Sequence, residues 1–215
     1  MRTEYSKLSD KKVWTTGVKY LERKDIILRK VIKKVGINDA WKAASRWWEP
    51  NHYESLVGAI VFQQISGRAG ISILKKFKNL YGGKIPSPQE FLKSKEKYIR
   101  SAGISPQKYL YLKDLCERIK DGRLEPKKFG RLANEEIIRK LDEVKGIGRW
   151  TAEMYLIGTL QRTDVLPVDD LGIRKAVQKE YKLRELPNKQ QLERISLSWG
   201  HYKSIASIYL WQSRD

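Results

Sequence analysis

Residues 141–152 read LDEVKGIGRWTA, and the Gly-Ile-Gly at 146–148 constrains the fold more than any other stretch of the chain. One amphipathic run stops, two glycines flank a single isoleucine, and helical periodicity restarts at Arg149 and Trp150. The pattern fits a helix, a tight hairpin and a second helix. Gly146 and Gly148 supply backbone shapes and close approaches that side chains forbid. A helix that opens near Arg149 aims its leading N–H groups outward at the positive end of its dipole, the arrangement that binds phosphate. Lys145 and Arg149 add positive charge beside it. A plain glycine turn between packed helices is the competing reading of these residues.

The rest of the chain is also helical in pattern. DIILRKVIKKV (25–35) sets Ile26, Ile27, Val31, Ile32 and Val35 on one stripe, with lysines and arginines opposite. YESLVGAIVFQQI (53–65) is apolar nearly all round, which predicts a central, buried helix. PQKYLYLKDLCERI (106–119) opens on a proline suited to a first helical turn. Further helices are expected over 133–144, 151–160, 171–181 and 203–212, with short Gly-, Pro-, Asn- or Asp-bearing breaks between elements. Strand signals are scarce, so the expected class is all-α, with about ten helices.

Charge and residue counts narrow the function. The 215 residues hold 44 Lys and Arg against 25 Asp and Glu, a formal net charge of +19 that favours a polyanionic partner. Nucleic acid is the first such partner and an anionic membrane surface the second. Cys116 is the only cysteine and His52 and His201 the only histidines, which excludes disulfide frameworks, four-cysteine zinc sites, iron–sulfur clusters and histidine-rich metal centres within one chain. No apolar run approaches a membrane span, and MRTEYSKLSDKK at the start lacks the apolar core of a signal peptide. The expectation is an intracellular protein of the cytoplasm and nucleoid or of the nucleus, not secreted and not membrane-bound.

Twenty residues after Trp150, LPVDDLGIRKAV (166–177) brings paired aspartates to a helix start. Either aspartate suits an N-cap, because a carboxylate accepts bonds from the N–H groups of a first turn. The helix dipole also stabilises a negative charge there, so the same group is suited to face a developing cation.

Taken together, VKGIGRWTAEMY (144–155) followed by LPVDDLGIR (166–174) resembles the helix-hairpin-helix (HhH-GPD) DNA glycosylases, in the branch of 3-methyladenine DNA glycosylase II. The likeness runs over roughly residues 50–213. AIVFQQIS (59–66) resembles the family's inner helix and its minor-groove segment, AGISPQKYLYLKDL (102–115) its Gly-x-Ser and Lys helix pair, and WGHYKSIASIYLW (199–211) its closing helix.

The resemblance implies a role for each matching residue. Asp170, with Ile173 three residues on, stands as the catalytic carboxylate that stabilises positive charge on the deoxyribose, and Asp169 is the fallback under a one-residue shift. Trp150 occupies the position of the lysine that forms a Schiff base in strand-nicking members, which implies base removal with no lyase step. Trp150, Trp211, Tyr155, Met154 and Leu171 are the implied lining of the base pocket, the two tryptophans suiting a cationic alkylated purine. Core packing is the alternative for both tryptophans, and Tyr155 suits either the pocket or the core. Lys145, Gly146, Gly148, Arg149, Thr151 and Ser66 are the implied DNA contacts. Gln64 is the implied wedge that fills the gap left by an extruded base, with Gln63 and Ile65 beside it; an interhelical hydrogen bond is its bland alternative. Departures from the family pattern are Lys145 where a proline is usual, and Met154 and Leu171 where pocket aromatics are usual. The pocket is therefore less aromatic, and the preferred base is left open.

The resemblance implies two helical domains and a DNA-binding cleft between them: 52–163, carrying the hairpin, and 1–51 with 164–215, carrying the aspartate loop. The implied activity is that of a monofunctional glycosylase excising alkylated purines from damaged duplex DNA, working as a monomer. It needs no cofactor and no catalytic metal, with a structural monovalent or divalent cation at the hairpin as an allowed addition. Two alternatives stay open: a glycosylase for mismatched or deaminated bases, and a non-catalytic DNA-binding protein built on the same hairpin.

Overall fold

Capping side chains and short breaks divide the chain into helices. The computed structural model describes residues 5–214; Asp215 and the first four residues of the N-terminal stretch read above lie outside the described residues. Thirteen α-helices occur among the described residues. In order they are α1 (Lys11–Lys24), α2 (Ile26–Val35), α3 (Ile37–Ser45), α4 (His52–Phe62), α5 (Gly67–Asn79), α6 (Pro88–Lys93) and α7 (Glu96–Arg100). Then come α8 (Pro106–Lys120), α9 (Asn134–Asp142), α10 (Arg149–Gly158), α11 (Leu171–Glu180), α12 (Lys189–Ser196) and α13 (Lys203–Gln212). Two 3-10 segments, Pro126–Arg131 and Leu197–Tyr202, complete the regular structure. The all-α expectation holds. The helix number exceeds the expected ten by three, and α6 and α7, with 6 and 5 residues, make up two of these, being too short to show a period.

The described residues form two compact units: one is the continuous stretch Glu49–Tyr155, and the other joins the residues up to Trp48 with those from Leu156 onward. In the central unit, α4 packs on α5 and α8 and buries Leu56, Val57, Ile60 and Val61. Tyr53 on α4 and Cys116 on α8 meet at 3.3 Å between hydroxyl and sulfur. Burial pushes the Cys116 thiol up to about 12, so this cysteine is inert packing.

One sequence expectation is corrected here. The helix read over 53–65 stops at Phe62, and Gln63–Ile65 form a turn before Ser66 caps α5 through the Ala69 N–H at 3.3 Å. No glycine or proline ends α4, since it is followed by Gln63 and Gln64, both good helix formers; the causes lie in the next helix's cap and in tertiary contacts described below.

The other unit is built around α13, whose residues Ser204–Leu210 are all buried. Trp14 on α1 meets Trp41 on α3 edge-on, with ring centroids 5.4 Å apart, and lies 6.1 Å from Tyr209 on α13. Asp25, between α1 and α2, is the polar keystone. Its Oδ1 accepts from the Ile27 and Leu28 N–H groups, capping α2. Its Oδ2 accepts from Tyr181 (2.6 Å), Ser198 (3.0 Å) and the Trp199 indole (3.2 Å). Burial pushes the Asp25 pKa up, but these hydrogen bonds outweigh it and hold the group below the usual carboxylate range.

Candidate functional site

The hairpin is fixed from three sides within the central unit. Ile147 is buried and its N–H donates to the Val144 carbonyl at 3.0 Å, which closes the turn. Gly146 has φ +81°, and a Cβ built on it would lie 2.2 Å from Cδ2 of Tyr111, so the α8 tyrosine ring rests directly against a bare Cα. Asp114, about one helical turn beyond Tyr111 on α8, accepts from the Lys145 N–H at 2.9 Å and from Arg118 Nε at 3.0 Å. On the remaining side, Gln63 Nε2 donates to the Gly146 carbonyl at 2.7 Å.

The outward side of the hairpin is open. Gly148 is exposed, and a Cβ there would meet nothing within 4 Å. A ligand such as a phosphate can come against the backbone at this point. α10 follows at once, its positive dipole end facing the same way. Lys145 is exposed. Arg149 is held by Glu135, with Nη2 at 2.6 Å and Nη1 at 3.0 Å from the two carboxylate oxygens, and its Nε bonds Glu153 at 3.1 Å. The Glu135 partnership raises the Arg149 pKa. Thr151 is buried, whereas Trp150 is 46% exposed. Ser66 lies in the turn after α4 as the cap of α5.

The other residues of α10 divide by burial. Met154 is half-buried. Tyr155 lies in the core of the central unit, its ring 6.1 Å from that of Phe129 and its hydroxyl 2.5 Å from His52 Nδ1. Burial raises its pKa. Gln64 is exposed and holds φ +54°, in the left-handed region that residues other than glycine rarely adopt.

In the second unit the two aspartates have different surroundings. Asp169 is exposed and pairs with Lys189 on α12 at 2.8 Å. Asp170 caps α11: its Oδ1 accepts from the Ile173 N–H at 2.8 Å and from the Trp211 indole N–H at 3.0 Å. The indole fixes the orientation of this carboxylate, and the helix dipole favours its charge. Trp211 in turn meets Trp47 edge-on at 5.4 Å, and Trp47 is 46% exposed. Leu171 is exposed, at 51%.

Sequence reasoning passed over three participants. Trp47 sits in RWWEP (46–50), a tryptophan doublet whose density of aromatic surface was the available signal. Gly172 is bare where a Cβ would come within 2.5 Å of Arg214 Nη1, 2.9 Å of Asp170 Oδ1 and 3.4 Å of Trp211 Cδ1. The missing side chain leaves room for the Trp211 indole to reach the Asp170 carboxylate and for Arg214 to lie against Gly172. Arg214 carried no signal, since it is one cation among many.

A positioned carboxylate beside exposed indole surface can stabilise a transient cation, and a hairpin with an uncovered glycine can hold a phosphate. Residues 57–201 match the family model described as HhH-GPD superfamily base excision DNA repair protein. The chain is 34% identical over 190 residues to DNA-3-methyladenine glycosylase 1 of Schizosaccharomyces pombe, covering 83% of each. It is 39% identical over 155 residues to the DNA-3-methyladenine glycosylase of Saccharomyces cerevisiae, covering 67% of this chain and 50% of that one. The 3-methyladenine DNA glycosylase of S. pombe, solved in complex with abasic DNA, superposes with a TM-score of 0.76 at 32% identity, over 91% of this chain and 95% of that one.

Proposed function

The chain belongs to the HhH-GPD superfamily of base excision DNA repair proteins, and from that premise we propose that it is a monofunctional DNA-3-methyladenine-type glycosylase acting on alkylated purines in duplex DNA. The observation that carries the reading is the Asp170 carboxylate, anchored by the Ile173 N–H and the Trp211 indole at the head of α11. The shared activity of the fission-yeast and budding-yeast relatives supports it.

The chemistry follows from charge. An alkylated purine is cationic and leaves readily, so the difficult part is the positive charge left on the deoxyribose. A fixed carboxylate stabilises that charge as it grows and orients the water that attacks the sugar carbon. The departing base takes the bonding electron pair and becomes neutral, and the water's proton is lost to solvent. No redox cofactor or catalytic metal is needed. Trp150 offers no amine, so no covalent enzyme–sugar adduct forms.

The central unit supplies the grip. Gly148 and the head of α10 take a phosphate, Lys145 adds charge, and Gln64 fills the space of the extruded base. Affinity of this kind is salt-sensitive and indifferent to sequence.

The test is methylated duplex DNA incubated with the protein in two parallel reactions, one developed with alkali and the other run in sodium borohydride. Alkali-labile sites should accumulate at methylated purines with no protein trapped on the strand. A trapped adduct would make the protein a lyase, and an absence of labile sites would remove the alkylpurine reading.

A further inference from the structure

The turn after α4 is held by three contacts, each from a different direction. Phe62, the last residue of α4, lies over Gly70 of α5, where a Cβ would sit 2.4 Å from the ring. Lys108 on α8 donates its ammonium to the Val61 carbonyl at 2.7 Å, partly buried, and burial lowers its pKa. The amide of Gln63 donates to the Gly146 carbonyl at 2.7 Å, across 83 residues of chain. Between these anchors Gln64 keeps its left-handed backbone at φ +54° with its side chain exposed. A non-glycine residue stays in that region when its surroundings over-determine it.

We propose that Gln63 is a positioning residue for base extrusion: its bond to Gly146 ties the Gln64 turn to the hairpin, so that the hairpin's seat on the DNA backbone fixes where Gln64 enters the duplex. Lys108 is the second fastener, holding the end of α4 against the same movement. This rests on the glycosylase reading for its purpose, but not for its measurement. The geometry is specific to the pair. Gly146 is pressed on its Cα by Tyr111 and held at its carbonyl by Gln63, so the hairpin and the turn cannot shift independently. A Gln64 whose turn is free would still lie near the DNA, but would enter the gap only a fraction of the time.

The experiment uses a duplex carrying a tetrahydrofuran abasic analogue next to 2-aminopurine. A side chain that fills the gap unstacks the 2-aminopurine and raises its emission. With the wild-type protein a large rise is expected. Gln63→Leu keeps the size and removes the donor; it should cut the rise by about tenfold while duplex affinity stays within about threefold and Tm within a few degrees. Lys108→Met should reproduce the loss, and Lys108→Arg should restore most of it, which keeps the test valid if one variant folds poorly. A wild-type rise in both Gln63→Leu and Lys108→Met would overturn the proposal. So would a loss of emission that only follows a parallel loss of affinity and Tm, since that marks a merely structural bond. The readout needs no excision: a wild-type protein that raises the emission but releases no base overturns the glycosylase reading and leaves the positioning role standing.

Discussion

Asp170→Asn should lower the single-turnover rate of base excision by about 10²–10⁴-fold, the range for removing one well-placed electrostatic or acid–base group. The substitution isolates charge. Asparagine is as good an N-cap as aspartate, and its side-chain oxygen can still accept from the Ile173 N–H and the Trp211 indole, which lie 2.8 Å and 3.0 Å from Oδ1. The fold and the indole orientation should therefore persist, and duplex affinity should hold or rise as one negative charge is lost. Asp169→Asn removes only an exposed ion pair with Lys189, worth about 0–1 kcal/mol, and should leave the rate within about fivefold. Rapid-quench assays of both variants on one methylated duplex check the pair. Equal losses would place the chemistry elsewhere in the loop.

The second large effect divides the two hairpin glycines. Gly146→Ala places a methyl group 2.2 Å from a Tyr111 ring carbon at φ +81°. The left-handed backbone alone costs about 1–2 kcal/mol, and displacing a packed ring adds about 1–3 kcal/mol. Tm should fall by about 5–15 °C. Gly148→Ala has nothing within 4 Å and should lower Tm by no more than about 4 °C, since its only cost is that alanine is a poorer N-cap than glycine for α10, worth about 1 kcal/mol. Its methyl group, however, stands where a phosphate must approach the backbone, and duplex affinity should drop about tenfold. Thermal melts and salt-matched binding titrations on both variants test this. Loss of stability in Gly148→Ala with intact binding would show that the open face of the hairpin is not a phosphate seat.

These two contrasts also show what the sequence could and could not reveal. The sequence predicts α13 with its observed bounds, Lys203–Gln212, because ten residues rich in apolar side chains with no glycine or proline leave a helix few alternatives. The hairpin was legible because Gly146 and Gly148 mark where side chains are excluded, although only coordinates reveal that Tyr111 does the excluding at one and open space at the other. The end of α4 was not legible. Its sequence runs on as helix, and what stops it includes the Lys108 ammonium, 47 residues away, bonded to the Val61 carbonyl. The two aspartates are chemically identical in sequence, and the Trp211 indole that singles out Asp170 comes from 41 residues later. Trp47 was missed for the same reason, since an aromatic doublet gives no sign of which ring will meet Trp211. In the sequence Arg149 adds positive charge beside the helix start, and the resemblance implies a DNA contact for it. Its bond to Glu153 is an i,i+4 contact within α10, but its bidentate hold on Glu135 depends on how the hairpin brings α9 beside α10.

The most direct measurement is chromatographic identification of what leaves methylated duplex DNA when the wild-type protein is added. Free 3-methyladenine, with strands uncut until alkali is applied, is the expected result. Methylated duplex left with all its bases, or release only from mismatched or deaminated pairs, would contradict it.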